Sequence, residues 1–256
     1  MQGDSALGRA LGLVRELRQK CPWDRAQTPQ TLRPYLVEEA LELDHAIQTD
    51  DPEAMRDELG DLLLHLAFQI VIGEERSQFN AEVVTHTLEE KMWRRHPSLF
   101  GDVRASRDDH AGWELVKRRE PRAGGKRSTL AGLPATLPPL LMAYRLQERA
   151  AGIGFDWPDA KGPLEKVKEE TAELERETGN GRRETIEEEI GDLLFAAVNL
   201  ARKHGIEAGQ ALERANLKFM DRFEKVEKLA EERGLEMGRA SLEQLDGLWN
   251  EVKARK

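Results

Sequence analysis

Along residues 5–20 the apolar side chains Leu7, Leu11, Val14 and Leu17 recur every third or fourth position, the period of an amphipathic helix. The period returns over 30–48, through Leu36, Val37, Ala40, Leu41 and Ile47, and is richest in apolar residues over 53–75. Between these two, TDDPE reads as a helix stop and restart, with Pro52 suited to a first turn. CPWDRAQTPQ, after the first helix, reads as a turn-rich loop. A further helix is predicted over 79–95, ending before His96-Pro97, then a polar loop over 101–111 and a short helix over 112–120. Glycine, proline and basic residues concentrate in RAGGKRSTLAGLPATLPP, which reads as a linker. Helical periodicity then resumes over 139–151, 162–178, 183–204, 206–233 and 241–254, interrupted by the loops GIGFDWPDAKG and GNGR. The expected fold class is all-α.

The two halves repeat each other element by element. CPWD matches FDWPD, so that Trp23 meets Trp157. VEEALEL matches KEETAEL, and DELGDLLLHLAF matches EEIGDLLFAAVN. EKMWRR matches NLKFMDR, and GWELVKRRE matches LWNEVKARK. The order is the same in both halves and the gaps differ by a few residues, as a duplication requires. The expected organisation is therefore an N-terminal helical domain over 1–120, a linker over 121–138 and a C-terminal helical domain over 139–256.

Composition narrows the function. Charged residues are 34% of the chain and aromatics 5%, which favours thin helical layers over a large sheet. A net charge of −9 argues against a generic nucleic-acid or anionic-membrane surface, which needs a basic field. It leaves room for a phosphate ligand, because a metal ion reverses the local sign. A lone cysteine, Cys21, permits no intrachain disulfide and suits a reducing compartment. MQGDSALGRA lacks a basic-then-apolar leader pattern, and no apolar run reaches the roughly 18 residues of a membrane span, so a cytoplasmic protein is expected.

Acids mark the candidate chemistry. Glu39 and Glu42 share one helix face, and Glu58 and Asp61 share a face of the next. Glu170, Glu173, Glu189 and Asp192 repeat the arrangement, and the step from inner acid to inner acid is sixteen residues in both halves. A helix, a tight turn and a returning helix bring such pairs opposite each other. Four facing carboxylates repel unless a counter-charge intervenes, and Mg²⁺ or Mn²⁺, which prefer oxygen ligands, would supply it. EExxE alone is usually a solvated helix face in so charged a chain; its pairing with ExxD, twice and at equal spacing, points to metal. Gly60 and Gly191 each cost about 1 kcal/mol relative to alanine in a helix. Close approach of backbone or ligand beside the acids is the expected return.

Lys91 and Arg95, and their counterparts Lys218 and Arg222, are spaced to clamp phosphate oxygens. Each pair alone is more often a surface feature. Trp113 and Trp249 could stack on a base, though singly such residues are more often core anchors. Lys166 and Lys168 precede the acids of the second half and have no basic counterparts in the first. His65, one turn beyond Asp61, reads as a packed histidine, since its counterpart is Ala196. GGKRST lacks the strand and the spacing of a phosphate loop, and GIGF suggests only a turn.

With EEALE…ELGD and EETAE…EIGD, together with CPWD, RRHPSLF, GFDWP and RGLEM, nearly the whole chain resembles the two-domain bacterial form of the MazG family of nucleoside triphosphate pyrophosphohydrolases. The resemblance implies tandem units resembling four-helix bundles, completed by dimerisation or a higher homo-oligomer. It implies Mg²⁺-dependent hydrolysis of (deoxy)nucleoside triphosphates to monophosphate and pyrophosphate. It makes Glu170, Glu173, Glu189 and Asp192 metal ligands, matched by Glu39, Glu42, Glu58 and Asp61. Lys166, Lys168, Thr185, Glu188, Lys218, Arg222 and Trp249 would line the nucleotide. Glu169 or Glu38 would orient the attacking water or take its proton. Catalysis is weighted towards the second unit, although the first retains all four acids. A narrower enzyme for dUTP or damaged nucleotides, a phosphohydrolase releasing orthophosphate, and a non-catalytic metal-stabilised dimerisation module remain as alternatives.

Overall fold

A computed structural model of the chain describes residues 5–100 and 128–254, and every regular element among them is a helix. The chain divides into two units between Asp108 and Asp109, a point outside the described residues.

In the first unit α1 (Ala6–Lys20) begins where Ser5 Oγ accepts the Gly8 N–H at 3.0 Å. A short helix, α2 (Pro22–Ala26), lies inside the stretch predicted to be a loop. The correction has a tertiary cause. Arg18 of α1 is 8% exposed and donates to Asp24 O at 2.7 Å and Gln27 O at 3.1 Å, pinning the segment. Its other arm donates to both oxygens of Glu75, at 2.7 and 2.6 Å. Helix α3 (Pro29–Thr49) opens with a reciprocal capping box between Thr28 and Thr31. It stops at Asp50, whose φ of 53° is left-handed. Asp51 then caps α4 (Pro52–Glu75), accepting the N–H groups of Glu53 and Ala54. So tight a turn sends α4 back along α3 as a hairpin. Leu11 and Val14 of α1 and Leu32 of α3 pack against Ala67, Phe68, Val71 and Ile72 of α4, the buried core of the unit. Helix α5 (Ala81–Arg95) and the short α6 (Pro97–Phe100) follow. The helix expected over 112–120 lies outside the described residues.

In the second unit, 128–138 contains turns and no helix. This part of the expected linker is tied down: Arg149 donates to Ala131 O at 2.8 Å and Leu130 O at 3.4 Å. Helix α7 (Pro139–Ala151) leads through a loop to α8 (Lys161–Asn180), and Gly181, with φ 70°, ends α8. The turn predicted at GNGR thus shrinks, because α8 continues through Asn180. Helix α9 (Arg183–Lys203) returns along α8 to form the second hairpin. Helix α10 (Ala208–Glu232), capped by Glu207, packs with α11 (Leu242–Ala254) around Val226, Leu229, Ala230 and Leu248.

Candidate active site

Each hairpin gathers acids on its inner face. In the first, carboxylate oxygens of Glu39, Glu58 and Asp61 lie within 4.8 Å of one another. In the second, Glu170, Glu173 and Glu189 do so within the same distance. The fourth expected acid stands at the edge of each set. Glu42 lies near enough to Glu58 to repel it, and Asp192 acts likewise on Glu189.

Crowding shows in the protonation balance. Burial, then the charges of Asp61, Glu42 and Glu58, push the Glu39 carboxyl above its ordinary value. Glu58 is raised by burial and then by Glu42 and Asp61. Burial, followed by Glu173, Glu170 and Asp192, raises Glu189, with Arg176 opposing. Buried Glu58 Oε2 has no hydrogen-bond partner among the described residues. A carboxylate oxygen without a donor, among like charges, fits a divalent cation as its missing partner.

The two sites differ in their resident base. Lys166 Nζ lies 2.6 Å from Glu170 and 2.9 Å from Glu169, and those contacts raise its pKa. The first unit has His65 instead, its Nε2 3.9 Å from Glu39 and its ring stacked on Tyr35 at 6.3 Å. Burial holds His65 below its ordinary pKa despite Asp61. It is a packed histidine at the margin of the acids.

The other expected residues scatter more widely. Glu38 and Glu169 are exposed, each beside its cluster. Lys168 pairs with Glu165 in solvent at 2.9 Å, away from the acids. Thr185 Oγ1 donates to Arg182 O at 3.0 Å near the start of α9, and Glu188 is exposed just before Glu189. Lys218 and Arg222 sit one turn apart on α10, and no ion pair among the described residues joins them to the acids. Trp249 packs against Phe219, with ring centroids 5.3 Å apart, at the edge of the apolar core. Lys91 and Arg95 are half-buried on α5, and Trp113 lies outside the described residues. A Cβ built at Gly60 or Gly191 meets no atom within 4 Å. Among the described residues no backbone approaches these glycines, which leaves room for a ligand beside the acids.

A cleft of about 800 Å³ opens beside the second cluster, with Lys166, Glu170 and Asp192 in its wall. Leu146, Ala150, Phe155, Trp157 and Phe195 make it largely apolar, while Gln147, Asn199 and Arg202 add polar groups. None of the latter three is marked by a motif. Their one sequence signal is a mismatch between the halves: Asn199 and Arg202 stand where the first unit has Phe68 and Val71.

A model of the MazG nucleotide pyrophosphohydrolase domain matches residues 27–100 and again 161–227, one match over each acidic hairpin. The chain belongs to the MazG family. A MazG relative from Thermotoga maritima, called nucleoside triphosphate pyrophosphohydrolase/pyrophosphatase, is 43% identical over 91% of this chain and 89% of its own length. An Escherichia coli K12 relative called nucleoside triphosphate pyrophosphohydrolase is 39% identical over 96% of this chain and 97% of its own. YabN of Bacillus subtilis, described as uncharacterized, is 43% identical over 94% of this chain, which spans half of that protein. The chain is thus an enzyme of the MazG nucleotide pyrophosphohydrolase family, built from two copies of its acidic hairpin. No helix among the described residues is long and apolar enough to cross a membrane.

Proposed function

We propose that the second unit hydrolyses (deoxy)nucleoside triphosphates, of more than one base, to the monophosphate and pyrophosphate with Mg²⁺. The observation that carries this reading is the meeting of Glu170, Glu173 and Glu189 within 4.8 Å beside a cleft large enough for a nucleoside. With Asp192, these residues would hold the metal, and Glu39, Glu42, Glu58 and Asp61 are their equivalents in the first unit. When bound, Mg²⁺ supplies charge neutralisation of the triphosphate, polarisation of the α-phosphoryl group and a more acidic bound water. Glu169, exposed at the edge of the cluster, orients the attacking water and takes its proton. Lys166, held by Glu169 and Glu170, offers a charge to the phosphates of the substrate. Lys218 and Arg222 stabilise the departing pyrophosphate, which requires α10 of this or a partner subunit to close on the acids. Homo-oligomerisation is supported by the exposed apolar side chains of Leu194, Phe195, Leu217, Phe219 and Met220 on α9 and α10.

Chromatography of the products from ATP tests the reaction. AMP plus pyrophosphate, strictly dependent on a divalent cation, is expected; ADP plus orthophosphate refutes it. Turnover left intact by Glu170→Gln together with Asp192→Asn would place the reaction elsewhere.

A further inference from the structure

Two buried arginines hold corresponding places in the two units. Arg18 stands in the last turn of α1, ahead of CPWD, and Arg149 in the last turn of α7, ahead of FDWPD; each is 8% exposed. Arg18 meets both oxygens of Glu75 as well as two backbone carbonyls, so its charge is answered. Arg149 has no carboxylate partner among the described residues. Its Nη1 donates to Ala131 O at 2.8 Å and Leu130 O at 3.4 Å, and its Nε is buried without a partner among those residues. A buried charge held only by carbonyl dipoles is a weaker anchor than one that also meets a carboxylate.

What Arg149 anchors belongs to the cleft. Leu130 lies in the cleft wall with Leu146 and Ala150 of α7, and it is 42% exposed. Arg149 is not a wall residue, so it reaches the cleft only through the segment it holds. The other hydrogen bonds of 128–133 among the described residues are local: the Ala131 N–H donates to Ser128 O at 3.0 Å and the Leu130 N–H to Ser128 Oγ at 3.3 Å. Gly132 follows with φ 84°, a left-handed conformation in which glycine bends the chain at least cost. The segment therefore has a cleft-wall residue at its middle, one cation beneath it and a glycine hinge near its end. Both the segment and Arg149 lie outside the stretches matched by the family model.

We propose that residues 128–133 form a strap that closes on the cleft, and that Arg149 is the positioning residue that seats it. The strap governs how tightly substrate is held and leaves the chemical step to the acids. This rests on the pyrophosphohydrolase reading of the same cleft. Seated, Leu130 covers apolar surface of the substrate; released, it lets water in. Because no carboxylate locks Arg149, substrate can shift the strap between the two states. Neither Leu130 nor Arg149 belongs to the acid cluster, which α8 and α9 carry. Loss of the seat therefore weakens ground state and transition state alike, which raises KM and spares kcat.

Two variants of the full chain test the strap. Arg149→Met removes both bonds to it, and Leu130→Ala keeps those bonds while removing the wall side chain. With Mg·ATP, KM should rise about tenfold in Arg149→Met, the size of one lost hydrogen bond from a charged donor. It should rise about threefold in Leu130→Ala, through lost apolar cover. In both, kcat should stay within about twofold of wild type. An arginine that merely braced α7 would leave Leu130→Ala with the KM of wild type. If either folded variant keeps that KM, or loses kcat instead, the proposal is overturned and the pyrophosphohydrolase reading stands. Hydrogen exchange read by mass spectrometry supplies a second measurement. With Mg²⁺ and α,β-methylene-ATP, which resists cleavage beside the α-phosphorus, amide exchange over 129–133 should slow in wild type, and slow less in Arg149→Met. Exchange left unchanged in wild type, or no binding of this nucleotide, overturns the proposal. If Arg149→Met does not fold, Leu130→Ala and wild-type exchange decide by the same criteria. If wild type releases no pyrophosphate from ATP, the pyrophosphohydrolase reading falls, and the exchange measurement alone decides the strap.

Discussion

Replacing Gly191 by alanine separates what the helix needs from what the site needs. Gly191 lies inside α9, exposed, immediately before Asp192, and a Cβ there meets no atom within 4 Å. No overlap opposes the added methyl group, so helix propensity decides the sign. Alanine is favoured over glycine inside a helix by about 1 kcal/mol. In a chain of this size that corresponds to a rise in melting temperature of roughly 2–4 °C. The assay is a thermal or urea melt of metal-free protein beside steady-state turnover of Mg·ATP. Greater stability with reduced turnover is expected, because the glycine then serves a ligand passing over the helix beside the acids. Gly60→Ala in the first unit should give the same stability gain, since its Cβ also meets open space. A less stable Gly191→Ala would refute the geometry, by showing that something packs on that face. A stabilised variant with undiminished turnover would refute the link to the ligand.

Other perturbations test other parts of the structure. Gly73→Ala has the opposite sign, because its Cβ would lie 2.3 Å from the Phe79 ring. A loss of about 1–3 kcal/mol is expected in a urea melt, and less in a Phe79→Leu background. Arg18→Met removes two hydrogen bonds to Glu75 and two to the carbonyls of Asp24 and Gln27. A loss of about 2 kcal/mol is expected, limited because Glu75 stays half in water; an unchanged melt would show that the clamp on α2 contributes nothing. Glu39, Glu58 and Glu189 are held above the ordinary carboxyl value of 4.5, through burial first and neighbouring acids next. The folded state therefore binds their protons more tightly than the unfolded state does, and the stability they contribute below 4.5 is lost as pH rises through their raised values. Glu75 and Asp156 are shifted downward and titrate below this window. In Glu75 the Arg18 hydrogen bond dominates, and in Asp156 the bonds from Arg202 and Lys203 together outweigh burial. Between metal-free wild type and a Glu39→Gln, Glu58→Gln, Glu189→Gln triple variant, the difference in melting temperature should shift against wild type as pH climbs above 4.5. Mg²⁺ should abolish that shift by replacing the protons; a shift in wild type's favour without metal contradicts the crowding.

The hairpins could be read from the sequence because their determinants are local. Thr28, Asp51 and Pro52 mark helix starts, and the three-residue spacing of Glu58 and Asp61 fixes their common face. The repeat then supplies a second, independent reading of the same pattern. Helix α2 was hidden because it is held by Arg18, whose partners lie on α2, the turn after it and the distant α4. The cleft was hidden for a similar reason. Leu130, Gln147, Trp157 and Asn199 come from the expected linker, α7, the loop after it and α9, and only the fold brings them to one cleft. What the sequence did carry was the contrast of Asn199 and Arg202 with Phe68 and Val71, polar residues at positions the other copy buries. The phosphate roles proposed for Lys218 and Arg222 were legible only as their one-turn spacing on α10 and through the family resemblance.

In the proposed reaction, acids of the second hairpin, with their cation, direct water to the α-phosphorus. Hydrolysis of ATP in ¹⁸O-labelled water with Mg²⁺, followed by mass spectrometry of both products, tests it most directly. One labelled oxygen is expected in AMP and none in pyrophosphate, with the labelled product lost in Glu170→Gln, Asp192→Asn protein. Label in the pyrophosphate, or labelled AMP formed undiminished by the double variant, would contradict it.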